Sequence, residues 1–305
     1  VSTAVRAVPH MVDIADGVYA YVQPDGGWCL NNAGLVVGAE GQSLLVDTAA
    51  TELRARLLRA EVLRRSAVPP RTVVNTHFHG DHTFGNSLFP EALIVAHERT
   101  RTEMSAAGLH LTGLWPDVRW GDIEVTLPHL TYKDTLTLHT GGVRVELIHV
   151  APAHTTDDTV VWLPDQRVLF AGDLVMSGVT PFCLMGSVSG SLRAMARLRA
   201  LGAETVVPGH GEVGGPELID HNEAYFRWLD EQARQGVAAG LTPLQLARET
   251  GPGPFEGLID SERLVPNLHR AYAEVHGAAP GSPLDVGALF KEMAGFHGGL
   301  PECHA

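Results

Sequence analysis

Lysine is almost missing from this chain. Of 305 residues, only Lys133 and Lys291 carry an ammonium group. Arginine supplies nearly all the positive charge, and 22 Lys and Arg against 35 Asp and Glu leave a formal net charge of −13. Nucleic-acid recognition needs a clustered positive surface, so this balance argues against a nucleic-acid partner. Cysteine is scarce as well. Cys29, Cys183 and Cys303 are odd in number and far apart. They suggest neither a disulfide framework nor a zinc spacing, and a reducing cytoplasm suits them. No apolar run approaches the ~20 residues that span a bilayer, so no membrane association is expected. The stretch Val1–Gly17 has no basic start followed by an apolar core, which predicts no export signal. Solenoid repeats and low-complexity segments are also absent.

Histidine, glycine and apolar side chains are plentiful: 16 His, 33 Gly and 45% apolar residues. Such a chain can bury a substantial core and reads as a loop-rich globular enzyme. The histidines are unevenly placed. His77-Phe78-His79-Gly80-Asp81-His82 puts four metal-ligating side chains within six residues, directly after the strand-like run Thr72–Thr76. Imidazole nitrogen and carboxylate oxygen suit zinc and its first-row neighbours. Gly80 is expected to permit a tight turn that sends His77 and His79 one way and Asp81 and His82 the other. Further candidates follow apolar runs. His154 comes after Val145–Ala153, Asp173 after Val168–Gly172, and His210 after Thr205–Gly209. Ligands gather at strand ends in α/β folds, so one convergent site is expected.

The set His77, His79, Asp81, His82, His154, Asp173 and His210, in this order over roughly residues 18–212, resembles the metallo-β-lactamase superfamily. The resemblance implies that His77, His79 and His154 hold one metal. Asp81, His82 and His210 would hold a second, and Asp173 would bridge the two. Two zinc ions (Zn2+) are the default, although iron or manganese also suits a His-rich site with a bridging Asp. With such a pair sharing a bridging hydroxide, Asp81 and Asp173 are the catalytic carboxylates. The bridging acid is typical of the thioesterase, lactonase and phosphodiesterase branches rather than of many true β-lactamases. Asp47 has two readings: an outer partner for a ligating His, or a turn residue before a helix. The other histidines, His149 among them, read as packed or surface side chains.

Strand and helix signals alternate along the chain. Val18–Val22 reads as a strand, and Ala33–Val37 with Ser43–Val46 as a hairpin. Residues 51–65 read as a helix whose apolar half carries Leu53, Leu57, Leu58 and Val62. Arg54, Arg56, Arg59, Arg64 and Arg65 on it are a solvated face, or a docking patch for an acidic carrier protein. A strand at 92–96 and a helix at 97–107 follow. A second β-rich half runs from about Asp122 to Leu174, then a helix at 190–201 and a strand at 204–207. The resemblance implies a four-layer αββα sandwich of the α/β class. We divide the chain into a catalytic domain, 1–215, and a C-terminal helical extension, 216–305, which packs near the site or mediates a homodimer.

Large apolar residues sit on Gly- and Pro-punctuated segments: Trp28, Leu114, Trp115, Trp120, Met176, Phe182, Leu184 and Met185. Together they predict an apolar pocket above the metals, with Trp28, Trp115, Met176 and Phe182 as its substrate-contacting residues. Gly26–Gly34, Gly113–Pro116, Met176–Phe182 and Gly298–Pro301 also resemble the actinorhodin-type cyclase/thioesterases of aromatic (type II) polyketide pathways. That resemblance implies closure of a later ring by aldol condensation with dehydration, then hydrolysis of the thioester to an acyl carrier protein, the expected partner. A glyoxalase II-like thioesterase or a lactonase acting on a smaller substrate is the alternative.

Overall fold

A computed structural model describes residues 8–66 and 68–305. The first seven residues of the Val1–Gly17 stretch, read above as free of an export signal, lie outside them. Among the described residues, one sheet has seven strands: β1 (His10–Ala15), β2 (Val18–Val22), β3 (Ala33–Val37), β4 (Ser43–Val46), β5 (Thr72–Val74), β6 (Leu93–His97) and β7 (Leu130–Tyr132), in chain order. Helix α1 (Glu52–Ser66) joins β4 to β5, the short α2 (Gly80–Thr83) follows β5, and α3 (Glu98–Ala107) follows β6. The second sheet holds β8 (Thr135–Thr140), β9 (Val143–His149), β10 (Thr159–Leu163), β11 (Val168–Met176) and β12 (Thr205–His210), in the order β12-β11-β10-β9-β8. Helix α4 (Val188–Leu201) connects β11 to β12, which pair in parallel.

Side chains alternate across a strand, and this period assembles four layers. Leu44 and Val46 of β4 face the second sheet, where they meet Val145, Leu147, Val161, Val168 and Phe170. Leu45 points the other way, with Leu35, Val73 and Ile94, onto Leu58 and Val62 of α1. Across the second sheet, Trp162, Leu169 and Val206 face Ala194, Met195 and Leu198 of α4. The result is the αββα sandwich expected from the sequence.

Three local expectations are corrected. Leu53 and Leu57 of α1 are exposed, and the buried stripe is Ala55, Leu58, Val62 and Ser66. The helix lies close against the turn 84–88, where Ala55 meets Gly85, so small residues rather than leucines face inward at its start. The five arginines of α1 are not all on the solvated face. Arg54 turns inward to Gln23 Oε1 (2.9 Å) and the His304 carbonyl, while Arg59 pairs with Glu91 over the Phe89 ring. Arg65 pairs with Asp13, and Arg56 and Arg64 pair within the helix. Thirdly, the second sheet starts at β8 rather than near Asp122, because β7 pairs with β6 and completes the first sheet.

Beyond β12 the described chain is helical: α5 (Glu217–Ala238), α6 (Pro243–Thr250), α7 (Leu264–Val275) and α8 (Val286–His297). Tyr225, Phe226, Leu229, Leu246, Leu264 and Leu268 bury one another against Cys183 and Val188. Asn222 of α5 clasps the Met176 backbone at the end of β11, accepting from its N–H at 3.1 Å and donating to its carbonyl at 2.8 Å. No helix among the described residues is long and apolar enough to cross a membrane.

Candidate metal centre

The parallel strands β4 and β5 of one sheet, and β11 and β12 of the other, bring their C-terminal ends to one edge of the sandwich. The sheets are tied there by Thr159 N–H donating to the Thr76 carbonyl (2.8 Å) and Asn32 N–H donating to the Gly209 carbonyl (2.6 Å). All seven residues singled out from the sequence converge at this edge. His77, His79, His154 and Asp173 form one group and Asp81, His82 and His210 another, with donor atoms within 4.8 Å in each group. Asp173 touches both. Its Oδ1 is 3.1 Å from His82 Nε2, and its Oδ2 is 3.4, 3.5 and 3.9 Å from Nε2 of His154, His210 and His77.

Two details of local structure differ from expectation. The chain does divide His77 and His79 from Asp81 and His82, but Gly80 opens α2 rather than a free loop turn, and a Cβ there would lie 2.3 Å from the Phe84 ring. Close packing on Phe84, not backbone freedom, demands glycine. Asp173 does not end its strand, because β11 continues to Met176. The β11–β12 register shifts between Gly172 and Met176, which lets the carboxylate leave the regular ladder.

Hydrogen bonds to the outer ring nitrogens decide which lone pairs point inward. His154 Nδ1–H donates to the Phe182 carbonyl (2.6 Å) and His210 Nδ1–H to the Gly26 carbonyl (2.9 Å). His82 Nδ1–H donates to Asp47 Oδ2 (2.8 Å). Thr76 gives its hydroxyl hydrogen to Asp47 Oδ2 (2.7 Å), so its oxygen accepts from His77 Nδ1–H (3.0 Å). Four rings therefore turn Nε2 to the centre. His79 turns Nδ1 inward instead, 3.1 Å from His77 Nε2 and 3.0 Å from His154 Nε2. Nitrogen lone pairs this close, with too few protons to bridge them, fit a cation. His82 Nε2 and Asp173 Oδ1, 3.1 Å apart, are buried and have no other hydrogen-bond partner.

Electrostatics point the same way. Burial holds His77 well below its ordinary value and takes His79 down to about 3, keeping both rings neutral. Burial also opposes charge on His82 and His210, but the carboxylates together outweigh it; Asp173 and Asp81 lift His210 to about 9. At Asp81 burial is outweighed by His82 and His210, leaving it at about 2, and Asp173 is held well below the carboxylate range for the same kind of reason. Ionised carboxylates among imidazoles make a site that draws in positive charge.

Asp47 proves to be the outer partner of His82 rather than a helix cap. It also accepts from Thr76 N–H (2.8 Å) and so ties the loops after β4 and β5 together. It does this at φ 59°, a conformation Asp tolerates better than most residues. Asp47→Ala should weaken metal affinity by roughly 10- to 100-fold, measured by competition with a chelator. Asp47→Asn, which keeps an acceptor and tolerates this backbone, should lose less; equal losses would show that charge alone matters.

The sequence did not reveal several supports. Asn32 donates to the Pro208 (2.9 Å) and Gly211 (2.7 Å) carbonyls around His210, which gives part of Gly26–Gly34 its duty. Asp158 accepts from Ala153 N–H, Thr155 N–H and Thr155 Oγ1, and shapes the loop that carries His154. Cys29 and Cys303, distant in sequence, pack in one cluster; all three cysteines are free.

A cavity of about 790 Å³, including its open mouth, lies on the His/Asp cluster. Trp28, Trp115, Met176 and Phe182 line it, with Leu114, Leu184 and Met185. Trp120 does not; it packs edge-on against Phe84. Phe78, Phe84, Arg263, Val286 and Phe290 also line it, the last three from the C-terminal helical segment. Trp28 is the hub of an aromatic cluster, 5.5 Å from both Trp115 and Phe182 and 5.8 Å from Phe290 between ring centroids.

An αββα sandwich with two His/Asp groups at one edge, fitting a dinuclear metal site, defines a class of metal-dependent hydrolases. A family model described as the metallo-β-lactamase superfamily matches residues 26–210, and the chain belongs to that superfamily. A linear primary-alkylsulfatase of Pseudomonas sp. (strain ATCC 19151) is 27% identical over 250 residues, covering 68% of this chain and 47% of the relative. This chain thus spans about half the length of that protein. An atrochrysone carboxyl ACP thioesterase of Aspergillus terreus (strain NIH 2624 / FGSC A1156) is 25% identical over 236 residues, covering 77% of this chain and 65% of the relative. Among solved structures, a metallo-beta-lactamase from Pontibacter korlensis superposes with a TM-score of 0.59 at 22% identity, over 72% of this chain and 99% of that one, a likeness of fold.

Proposed function

We propose that the protein is a dinuclear-metal thioesterase for a bulky aromatic or poly-β-ketone acyl group carried on an acyl carrier protein. In this reading it also closes a later ring by aldol condensation with dehydration before the thioester is cleaved. The observation that carries the proposal is the aromatic-walled cavity opening directly onto the His/Asp cluster. A small glutathione- or lactone-type substrate has no need of such a wall. The relative named as a carrier-protein thioesterase supports the same substrate class.

His77 Nε2, His79 Nδ1 and His154 Nε2 would hold one metal, Asp81, His82 and His210 the other, with Asp173 shared. Bound there, the metals would supply a water of lowered pKa and a Lewis acid for the thioester carbonyl. The protein's own residues do the rest. Asp81 and Asp173 would provide the negative charge that retains both cations. The outward Nδ1–H bonds hold four imidazoles in the ligating tautomer. Trp28, Trp115, Phe182 and Phe290 exclude solvent and offer faces on which fused rings stack. Water adds to the thioester carbon, the carbon–sulfur bond breaks, and acid and thiol leave.

The test is hydrolysis of an aromatic polyketide-like thioester by metal-loaded protein, with S-lactoylglutathione as competitor and a metal-stripped control. Preference for the bulky thioester, lost on stripping, is the expected result. Preference for S-lactoylglutathione would replace this reading with the glyoxalase II-like one.

A further inference from the structure

Arg263 is the one arginine or lysine that lines the cavity among the described residues. It sits in the turn 261–263 that leads into α7 and is 2% exposed. Its guanidinium lies over the Trp28 ring, 4.0 Å from the centroid, with Phe182 at 5.9 Å. Trp28 is in turn held by its Nε1–H donating to Glu262 Oε1 (2.7 Å), so ring and guanidinium are fixed together. Arg263 Nη2 donates to Asp260 Oδ2 (2.8 Å), and Nη1 donates to the Thr180 carbonyl (3.0 Å). The rest of its donor set is poorly used. Nη1 also points at Met176 Sδ (3.2 Å), a weak acceptor, and Nε is buried without a partner. Met176 lines the same cavity.

A buried guanidinium usually satisfies its five N–H groups, because an unmade one is costly. Here the shortfall falls on a cavity-lining side chain whose other neighbours are aromatic rings. The geometry points to Arg263 as a specificity-determining residue. It would take an acidic ring oxygen, a phenolate or a β-dicarbonyl enolate, on an aromatic acyl substrate whose carbonyl lies at the His/Asp cluster. This rests on the thioesterase reading and narrows its substrate class.

Two pairs of probes test it on the metal-loaded full chain. One pair is the N-acetylcysteamine thioesters of naphthoic acid with and without a ring hydroxyl remote from the carbonyl. The other is the matching amides, which cannot turn over as thioesters and are followed by tryptophan fluorescence quenching. The wild-type protein should favour the hydroxylated member of each pair by roughly 10- to 100-fold, in KM and in Kd. Arg263→Met should bring both ratios near one, and Arg263→Lys should retain part of them. Each ratio is taken within one protein, so general damage cancels. Asp260→Asn combined with Arg263→Met removes the whole buried ion pair and serves if the single variant does not fold. No preference in the wild-type protein, or an undiminished one in the variants, overturns the inference. If thioesters are not cleaved but the amide preference depends on Arg263, the recognition role stands and the thioesterase reading falls.

Discussion

Under the proposed thioesterase reading, Asp173→Ala should lower thioester hydrolysis by at least about a thousandfold and leave the protein with fewer than two metals per chain. The reason is its position. Asp173 lies between the two ligand groups, its carboxylate within 3.1–3.9 Å of four histidine Nε2 atoms, two from each side. Without it, three candidate ligands remain on each side, and no anion joins the two groups. Asp173→Asn separates shape from charge. It fills the same space but cannot neutralise a shared cation, so its loss of turnover should approach that of alanine. Turnover and metal content by mass spectrometry are the readouts, and unchanged turnover in both variants would remove the metal mechanism. Binding of the naphthoyl amides should survive, since the aromatic wall does not depend on the carboxylate.

Gly209→Ala should be nearly as damaging, although residue 209 contributes no ligand atom. A Cβ at this position would lie 1.9 Å from Asp173 Oδ1 and 2.7 Å from Asp173 N. Part of the clash is with backbone of β11, which cannot swing aside as a side-chain tip can. Either β12 moves, taking His210 with it, or the Asp173 carboxylate turns away. Overpacking of this kind costs roughly 1–3 kcal/mol. That corresponds to a fall of several degrees in Tm for a chain of this size, together with reduced metal content. Gly257→Ala, where nothing lies within 4 Å, is the control and should be nearly neutral. Full metal content and wild-type Tm in Gly209→Ala would show that β12 is not held as tightly as these contacts imply.

Both predictions concern residues already visible in the sequence, yet their reasons are tertiary. The motif His77–His82 and the later His154, Asp173 and His210 could be picked out because each follows an apolar run, and strand ends collect ligands. The layers were legible for a similar reason. Period-two runs such as Ser43–Val46 bury alternate residues on two faces, and the hydrophobic effect then needs a sheet on one side and a helix on the other. Helix α1 shows the limit of periodicity. Its sequence offered Leu53 and Leu57 as core residues, but the nearby turn 84–88 selected Ala55 instead.

What the sequence by itself determined is the alternation of strand and helix signals, the seven side chains of the candidate centre and the class of chemistry their donor atoms suit. These follow from local periodicity and ligand type, which are properties of neighbouring residues. Only the tertiary structure decided the rest. It chose Asp47 as the partner of His82, put the Thr76 hydroxyl behind His77, gathered Cys29 and Cys303 into one cluster, and brought Arg263 and Phe290 into the cavity wall. Each of those joins residues remote in sequence. Such contacts are set by how sheets and helices pack, and packing leaves no periodic trace in the chain.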